Sequence, residues 1–384
     1  MLSAFVHAPS ICSSNTLSHC VSPKLNLSRS SMAVSSIRIA VVGDVHDCWN
    51  LEQDSKALEL LQTYITAARF GAVYRQVSLL LINLSHYGDF GEENLEVIKS
   101  VVNLEFAKAV ILGNHDAWFT KQFSGSKEKD KVQLQLECLG KEHVAYQRSD
   151  FPQIKVSVVG GRPFSIGGKP MFRKKLLLAR ILYNFPTLKI NFINFEHCRR
   201  YGVKDMDESA KRIQKAALGT PEDHFLILLA HNGPTGLGSD SNDICGKDWE
   251  FEGDGDHGDP DLAQAISLLK ENNQISIPLV VFGHMHKELA YGNGFRKMIV
   301  VGADNTIYLN GAIVPRVKRL GGDEDKKSLD DESALASPEA KGTRRAFTLV
   351  EISEGRVAKI AESWVSVVED RTTLEEEHIL FESS

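Results

Sequence analysis

Cysteine is scarce in this chain and never arranged in pairs. Six cysteines are spread over 384 residues, at positions 12, 20, 48, 138, 198 and 245. No two form a C-x-x-C unit, which excludes a zinc ribbon or a thioredoxin-like redox motif and fits reduced thiols in a protein that is not secreted. Long apolar runs are missing as well. None reaches the ~18–20 residues that cross a bilayer, and the longest candidate, Val77 to Leu84, has the length of a strand. Nor is there a large excess of one charge: 44 Lys and Arg against 50 Asp and Glu leave −6. A nucleic-acid surface needs clustered Lys and Arg, so neither a nucleic-acid nor a membrane partner is expected. With 42% hydrophobic residues, the composition is that of an ordinary globular protein. The chain is long enough to bury a core without staples.

Acidic residues are absent from the first 36 positions, which are Ser-rich and carry only Lys24 and Arg29 as formal charges. Transit peptides have this composition, and the compact apolar centre of a secretory signal is not there. The low Arg content points to a plastid over a mitochondrion. We therefore expect a disordered transit peptide over residues 1–36, addressed to the chloroplast stroma, then one domain over 37–370 and a C-terminal tail over 371–384. Gly321 to Arg344 is charged, Ser-rich and too poor in apolar residues to bury a core, so it reads as a disordered insertion. Gly238 to Asp259, rich in Gly and Asp, reads as a surface loop near the active face.

What is present is a repeated strand-then-turn pattern. Ile37 to Val42 is a short β-branched run that stops at Gly43, a buried-strand signal. Further strands are expected at Val77 to Leu84, Lys108 to Leu112, Ile154 to Val159, Phe225 to Ala230 and Leu279 to Phe282. Helices are expected at Leu51 to Tyr64, Glu92 to Val102, Asp207 to Leu218 and from Asp259-Pro260 to about Glu271. In the last helix Asp259 would be the N-cap and Pro260 the first helical residue. Short strands follow at Met298 to Val301, Thr306 to Leu309, Phe347 to Ile352 and Ala358 to Val367. The pattern predicts a layered α/β domain with more than one sheet, whose ligand would sit beyond the carboxyl ends of the strands.

Those ends carry the chemistry. In order they read Gly43-Asp44-Val45-His46, Gly88-Asp89, Gly113-Asn114-His115-Asp116, His231-Asn232-Gly233 and Gly283-His284-Met285-His286. Each joins a turn-forming glycine to a carboxylate, amide or imidazole, the ligands of oxygen- and nitrogen-preferring divalent ions. A single short cluster means little, but five in succession, each after an expected strand, point to a metal centre.

The ordered set Asp-x-His, Gly-Asp, Gly-Asn-His-Asp, a later His and Gly-His-x-His resembles the calcineurin-like metallophosphoesterase superfamily over about Ile37 to His286. The stretches Gly160 to Ser165 and His231 to Gly238 are similar to a branch of it from photosynthetic organisms. The resemblance implies a four-layer αββα sandwich and a phosphoesterase that uses two divalent metal ions, Mn, Fe or Zn, on a small phosphorylated substrate. It further implies that Asp44, His46 and His286 hold one metal, that Asn114, His231 and His284 hold the other, and that Asp89 bridges them. His115 would face the substrate phosphate as a general acid, with Asp116 orienting it. Two ions ~3.5–4 Å apart can clamp a phosphate and lower the pKa of a shared water.

The alternatives are a phosphodiesterase or nuclease on the same scaffold, and a binding protein without catalysis. One departure from the family pattern stands out. Asn83 to Tyr87 separates the apolar run from Gly88, and Tyr64 to Gln76 fits neither helix nor strand. His86, His143, His197 and His224 read as ordinary loop or core histidines and Cys48 as packing, whereas His257 could rim the pocket. Arg162 and Lys247 are candidates for phosphate contact.

Overall fold

Strand and helix alternate through the first two-thirds of the chain in the computed structural model, which describes residues 36–63, 77–84, 92–118, 131–178, 201–249, 255–273, 275–320 and 342–383. The series runs β1 (Ile37–Val42), α1 (Leu51–Thr63), β2 (Val77–Leu84), α2 (Glu92–Val102), β3 (Lys108–Leu112), α3 (Lys131–Leu139), β4 (Arg148–Phe151) and β5 (Val156–Gly160). It continues with α4 (Lys174–Leu177), α5 (Met206–Ala217), β6 (Phe225–Leu229), α6 (Pro260–Asn273) and β7 (Leu279–Phe282). Strands then dominate: β8 (Ile299–Val301), β9 (Ile307–Asn310), β10 (Val317–Arg319), β11 (Gly342–Ser353), β12 (Arg356–Val368) and β13 (Arg371–Glu382).

Two sheets result. One has the order β13-β12-β11-β1-β2-β3, with β10 paired to β11, and the other the order β4-β5-β6-β7-β9-β8. β1, β2 and β3 are parallel, as are β5, β6, β7 and β9. Parallel strands are covered on both faces and so read as unbroken apolar runs. β3, β6 and β7 are buried at every position. α1 packs on β2, β12 and β13, while α5 packs on β5 and α6. Both sheets feed one continuous apolar core, which is the αββα layering expected.

A buried ionic knot ties α1 to the C-terminal strands. Asp54 accepts from Arg316 at 2.6 Å and from Arg345 at 2.7 Å, and all three are nearly inaccessible. Removing one partner from such a cluster costs about 3–5 kcal/mol, because the other charges stay buried.

The structure changes several expectations. Residues 371–382, read as a tail, form β13 and pair along β12. Gly342, Thr343 and Arg344, assigned to a disordered insertion, open β11, where Arg344 pairs with Glu375. Residues 321–341 lie outside the described residues, as do 1–35, 64–76 and His197. Asn83 and Leu84 are the last two residues of β2, within the strand expected over Val77 to Leu84. Asp259 does precede α6, yet its carboxylate turns inward to Arg162 and Ser165 and does not cap the helix with its side chain.

Candidate metal centre

Sharp turns at the strand ends aim the polar residues inward. Asp44, His46 and His284 all adopt left-handed backbone, with φ of 41°, 46° and 68°. Residues with a side chain avoid that region, and such turns persist where the surrounding fold enforces them, often at functional sites. Glycine has a different task at two positions. A Cβ on Gly113 would lie 2.2 Å from the Leu84 carbonyl oxygen and 2.6 Å from His231 Cε1. One on Gly283 would lie 2.7 Å from Asn83 Nδ2. Bare backbone there lets the ends of β2, β3, β6 and β7 close on one point.

The groups that meet there are mostly lone pairs. His46 Nε2 and His286 Nε2 stand 3.1 Å apart. Asp44 Oδ2 is 3.8 Å from His286 Nε2 and its Oδ1 is 4.0 Å from His231 Nδ1. The donor atoms of Asp44, His46 and His286 all lie within 4.8 Å of one another. Donors ~2.1 Å from a shared ion stand roughly 3–4 Å apart, so this trio fits a divalent cation.

His231 adds a second argument. Asn83 Nδ2 donates to the carbonyls of Ala230 and His231 at 3.1 and 2.9 Å. That fixes its amide, so its Oδ1 accepts the His231 Nδ1 proton at 2.7 Å. Nε2 of the neutral ring is then a bare lone pair, 2.8 Å from Asn114 Oδ1. Two acceptors face each other, an arrangement that a cation relieves. Asn83 is the residue that the sequence reading missed. Its signal is a lone amide at the end of an apolar strand, but its partner lies 148 positions away.

Burial sets the protonation states. Asp44 is 1% exposed and neither carboxylate oxygen has a well-formed hydrogen bond. Burial pushes its pKa up to about 8, against the weaker pull of the His284 backbone amide and with help from nearby Asp116. Burial, then neighbouring His257, lowers His284 to about 3. Burial also takes His286 to about 4 and His231 well below the usual imidazole value. All three imidazoles are therefore neutral at pH 7, the form that binds metal. A carboxylate at such cost among neutral ligands fits a site whose missing positive charge is a cation.

The remaining candidates fall around this point. His115 is half-buried, its ring 5.8 Å from that of His46 and stacked on Trp118 at 5.0 Å. Asp116 Oδ2 accepts from the Gly113 amide at 2.7 Å, which braces the turn bearing Asn114 and His115. Asp89 and His86 lie outside the described residues. His257 does line the cleft, stacked 6.1 Å from His284. His143 and His224 are bound elsewhere, to Tyr201 and Ser157. Arg162 is not a phosphate contact: it is 1% exposed and spent on Asp259 and Asp261. Lys247 lies 5.9 Å over the Trp249 ring.

Arg296 also escaped the sequence reading. It is 4% exposed and donates to the carbonyls of His286, Ser241, Asp243 and Gly246. It thereby straps the polar loop after Gly238 to the turn that carries His286.

A family model described as calcineurin-like phosphoesterase matches residues 37–288. The match takes in every strand end named above, from β1 to the turn after β7. No curated protein matches the chain.

Proposed function

We propose, from the premise that this chain belongs to the calcineurin-like phosphoesterase family, that it hydrolyses the phosphate ester of a small soluble substrate at a two-cation centre. Metal-dependent hydrolysis of phosphate esters is the general chemistry of the family. The observation that carries the reading is the buried Asp44 carboxyl group, set with the ring nitrogens of His46 and His286 so that the three donor atoms lie within 4.8 Å of one another.

Asp44, His46 and His286 would hold one ion, Asn114, His231 and His284 the second, and Asp89 would bridge them. Bound Mn, Fe or Zn would supply Lewis-acid charge at the phosphate and a lowered pKa for water. Asn83 keeps the His231 proton on Nδ1 and presents the Nε2 lone pair. His115 sits beside the donors and lines the same cleft, and it would give a proton to the leaving oxygen. Asp116 keeps the Asn114-His115 turn in place through Gly113.

The test is hydrolysis by the purified chain with added Mn²⁺, on p-nitrophenyl phosphate against the bis-p-nitrophenyl ester, with metal analysis of two variants. We expect preference for the monoester. Asp44→Asn should lose bound metal and turnover together. His115→Ala should keep its metal while turnover falls roughly 10²- to 10⁴-fold, the scale for a lost general acid. The fall should shrink for better leaving groups. Absent turnover with metal bound would refute the enzyme reading, and diester preference would make the protein a phosphodiesterase. If His115→Ala emptied the site, His115 would be a ligand.

We also infer plastid import from the acidic-free, Ser-rich first 36 residues. These residues fused to a fluorescent reporter should carry it into plastids, and a cytosolic or secreted reporter would overturn the assignment.

A further inference from the structure

The metal centre opens into a cleft of about 640 Å³, within the range of small-molecule sites. Its outer walls are aromatic. Trp118 lies parallel to His115, the rings 10° apart, and its other neighbour is Phe172 at 5.8 Å. A line of flat rings therefore leads outward from His115. Trp249 lines the same cleft with its ring edge-on to His257 at 4.7 Å. These two indoles are 42% and 38% exposed. An indole left facing water beside an ionic centre costs hydrophobic free energy that a bound apolar group would recover.

The chemistry of the walls narrows the ligand. The formal charges on the lining itself are the carboxylates Asp44, Asp248 and Glu288, but cations border the rings: Lys247 Nζ lies 5.9 Å over the Trp249 ring and Arg173 lies 5.1 Å over the Phe172 ring. Asp248 is anchored by the Ala290 amide at 2.8 Å and by Arg296 at 3.1 Å. The charge around the walls is thus of both signs, and the rings set their character. The exposed indoles accept a planar ring, because every aromatic group has a face that stacks and needs no hydrogen-bond code.

We propose that the cleft selects phosphate monoesters whose leaving group is a planar aromatic alcohol, stacked on Trp118 and Trp249. This rests on the phosphoesterase reading above and adds the substrate class. The rings are specificity determinants: the phosphate would sit at the metal centre, and the aromatic group would lie along the line from His115 to Phe172.

The experiment compares three non-hydrolysable ligands on the full chain loaded with Mn²⁺: phenylphosphonate, cyclohexylphosphonate and methylphosphonate, with inorganic phosphate alongside. Binding is read by quenching of tryptophan fluorescence and by competition with p-nitrophenyl phosphate. The phenyl compound should bind about tenfold more tightly than the methyl one and clearly better than the cyclohexyl one. In Trp249→Ala the phenyl-to-methyl ratio should fall towards unity, and Trp249→Phe should restore most of it. A ratio near unity in the wild-type chain would overturn the proposal, as would equal binding of cyclohexyl and phenyl compounds. So would a Trp249→Ala variant that weakens every ligand equally, since that is the mark of a structural role. Phosphate binding without discrimination would sink this inference alone. Failure of the Mn²⁺-loaded chain to bind phosphate or any phosphonate would remove the phosphoesterase reading and this one with it.

Discussion

At the scale of single residues, burial decides what each imidazole can do. His143 shows this away from the metal centre. It is 4% exposed and its Nε2 lies 2.7 Å from the Tyr201 hydroxyl, and burial lowers its pKa to about 3. The ring is neutral in the fold but takes a proton near pH 6.5 when the chain unfolds. The unfolded state thus binds more protons between those values, and stability rises with pH there. The stabilisation is whole above pH 6.5 and is lost as pH falls toward 3. We expect His143→Gln to flatten the pH dependence of unfolding free energy between pH 6.5 and 5 relative to wild type. The limit is about 1.4 kcal/mol per pH unit for one proton. Denaturant unfolding at several pH values measures it, and identical slopes would show that His143 is protonated in the fold. The same scale marks what could be read without coordinates. Asp44, His46 and Asn114 declare themselves by ligand type, whereas their protonation states follow from burial, which no residue name contains.

At the scale of elements, the site depends on how closely strand ends approach. β2, β3 and β6 meet where Gly113 lies under the Leu84 carbonyl and the His231 ring. Gly113→Ala would force backbone apart at that contact. It should destabilise the protein by about 1–3 kcal/mol, the cost of overpacking, and weaken metal retention through His231. Gly255→Ala, whose added methyl meets nothing within 4 Å, is the control. Thermal unfolding and metal content of both variants decide the point, and a Gly113→Ala protein indistinguishable from the control would refute it. The strands themselves were legible where apolar runs are unbroken, as in Lys108 to Leu112 and Phe225 to Leu229. β13 was not legible, because Arg371 to Glu382 is mostly polar and exposed. It is a strand through its pairing with β12, and a pairing partner is not a local property.

At the scale of the whole molecule, the C-terminal hairpin is part of the domain. Leu374, Leu380 and Phe381 pack against the main core, and β13 pairs along β12 from Arg371 to Glu382. Deleting residues 371–384 should cost on the order of 2–4 kcal/mol, from the apolar burial of three half-covered side chains. It would also expose β12 as a long edge prone to self-pairing. A lower unfolding temperature and a tendency to aggregate are expected, and a truncated chain as stable and soluble as the intact one would contradict the packing.

By itself the sequence determined the family, the order of the strands whose ends carry the candidate ligands and the chemistry of those side chains, because each is written in residue types next to one another along the chain. Only the tertiary structure decided which distant residues support them. Asn83 holds His231 across 148 positions, and Arg296 reaches back to the loop after Gly238. Arg162, a candidate for phosphate, is consumed by Asp259 and Asp261 in the interior. The aromatic walls share this origin: Trp118 and Trp249 line one cleft because separate sheets bring them there. Ligand identity is local chemistry, whereas burial, pairing and the shape of a cleft are set by segments that meet only when the chain folds.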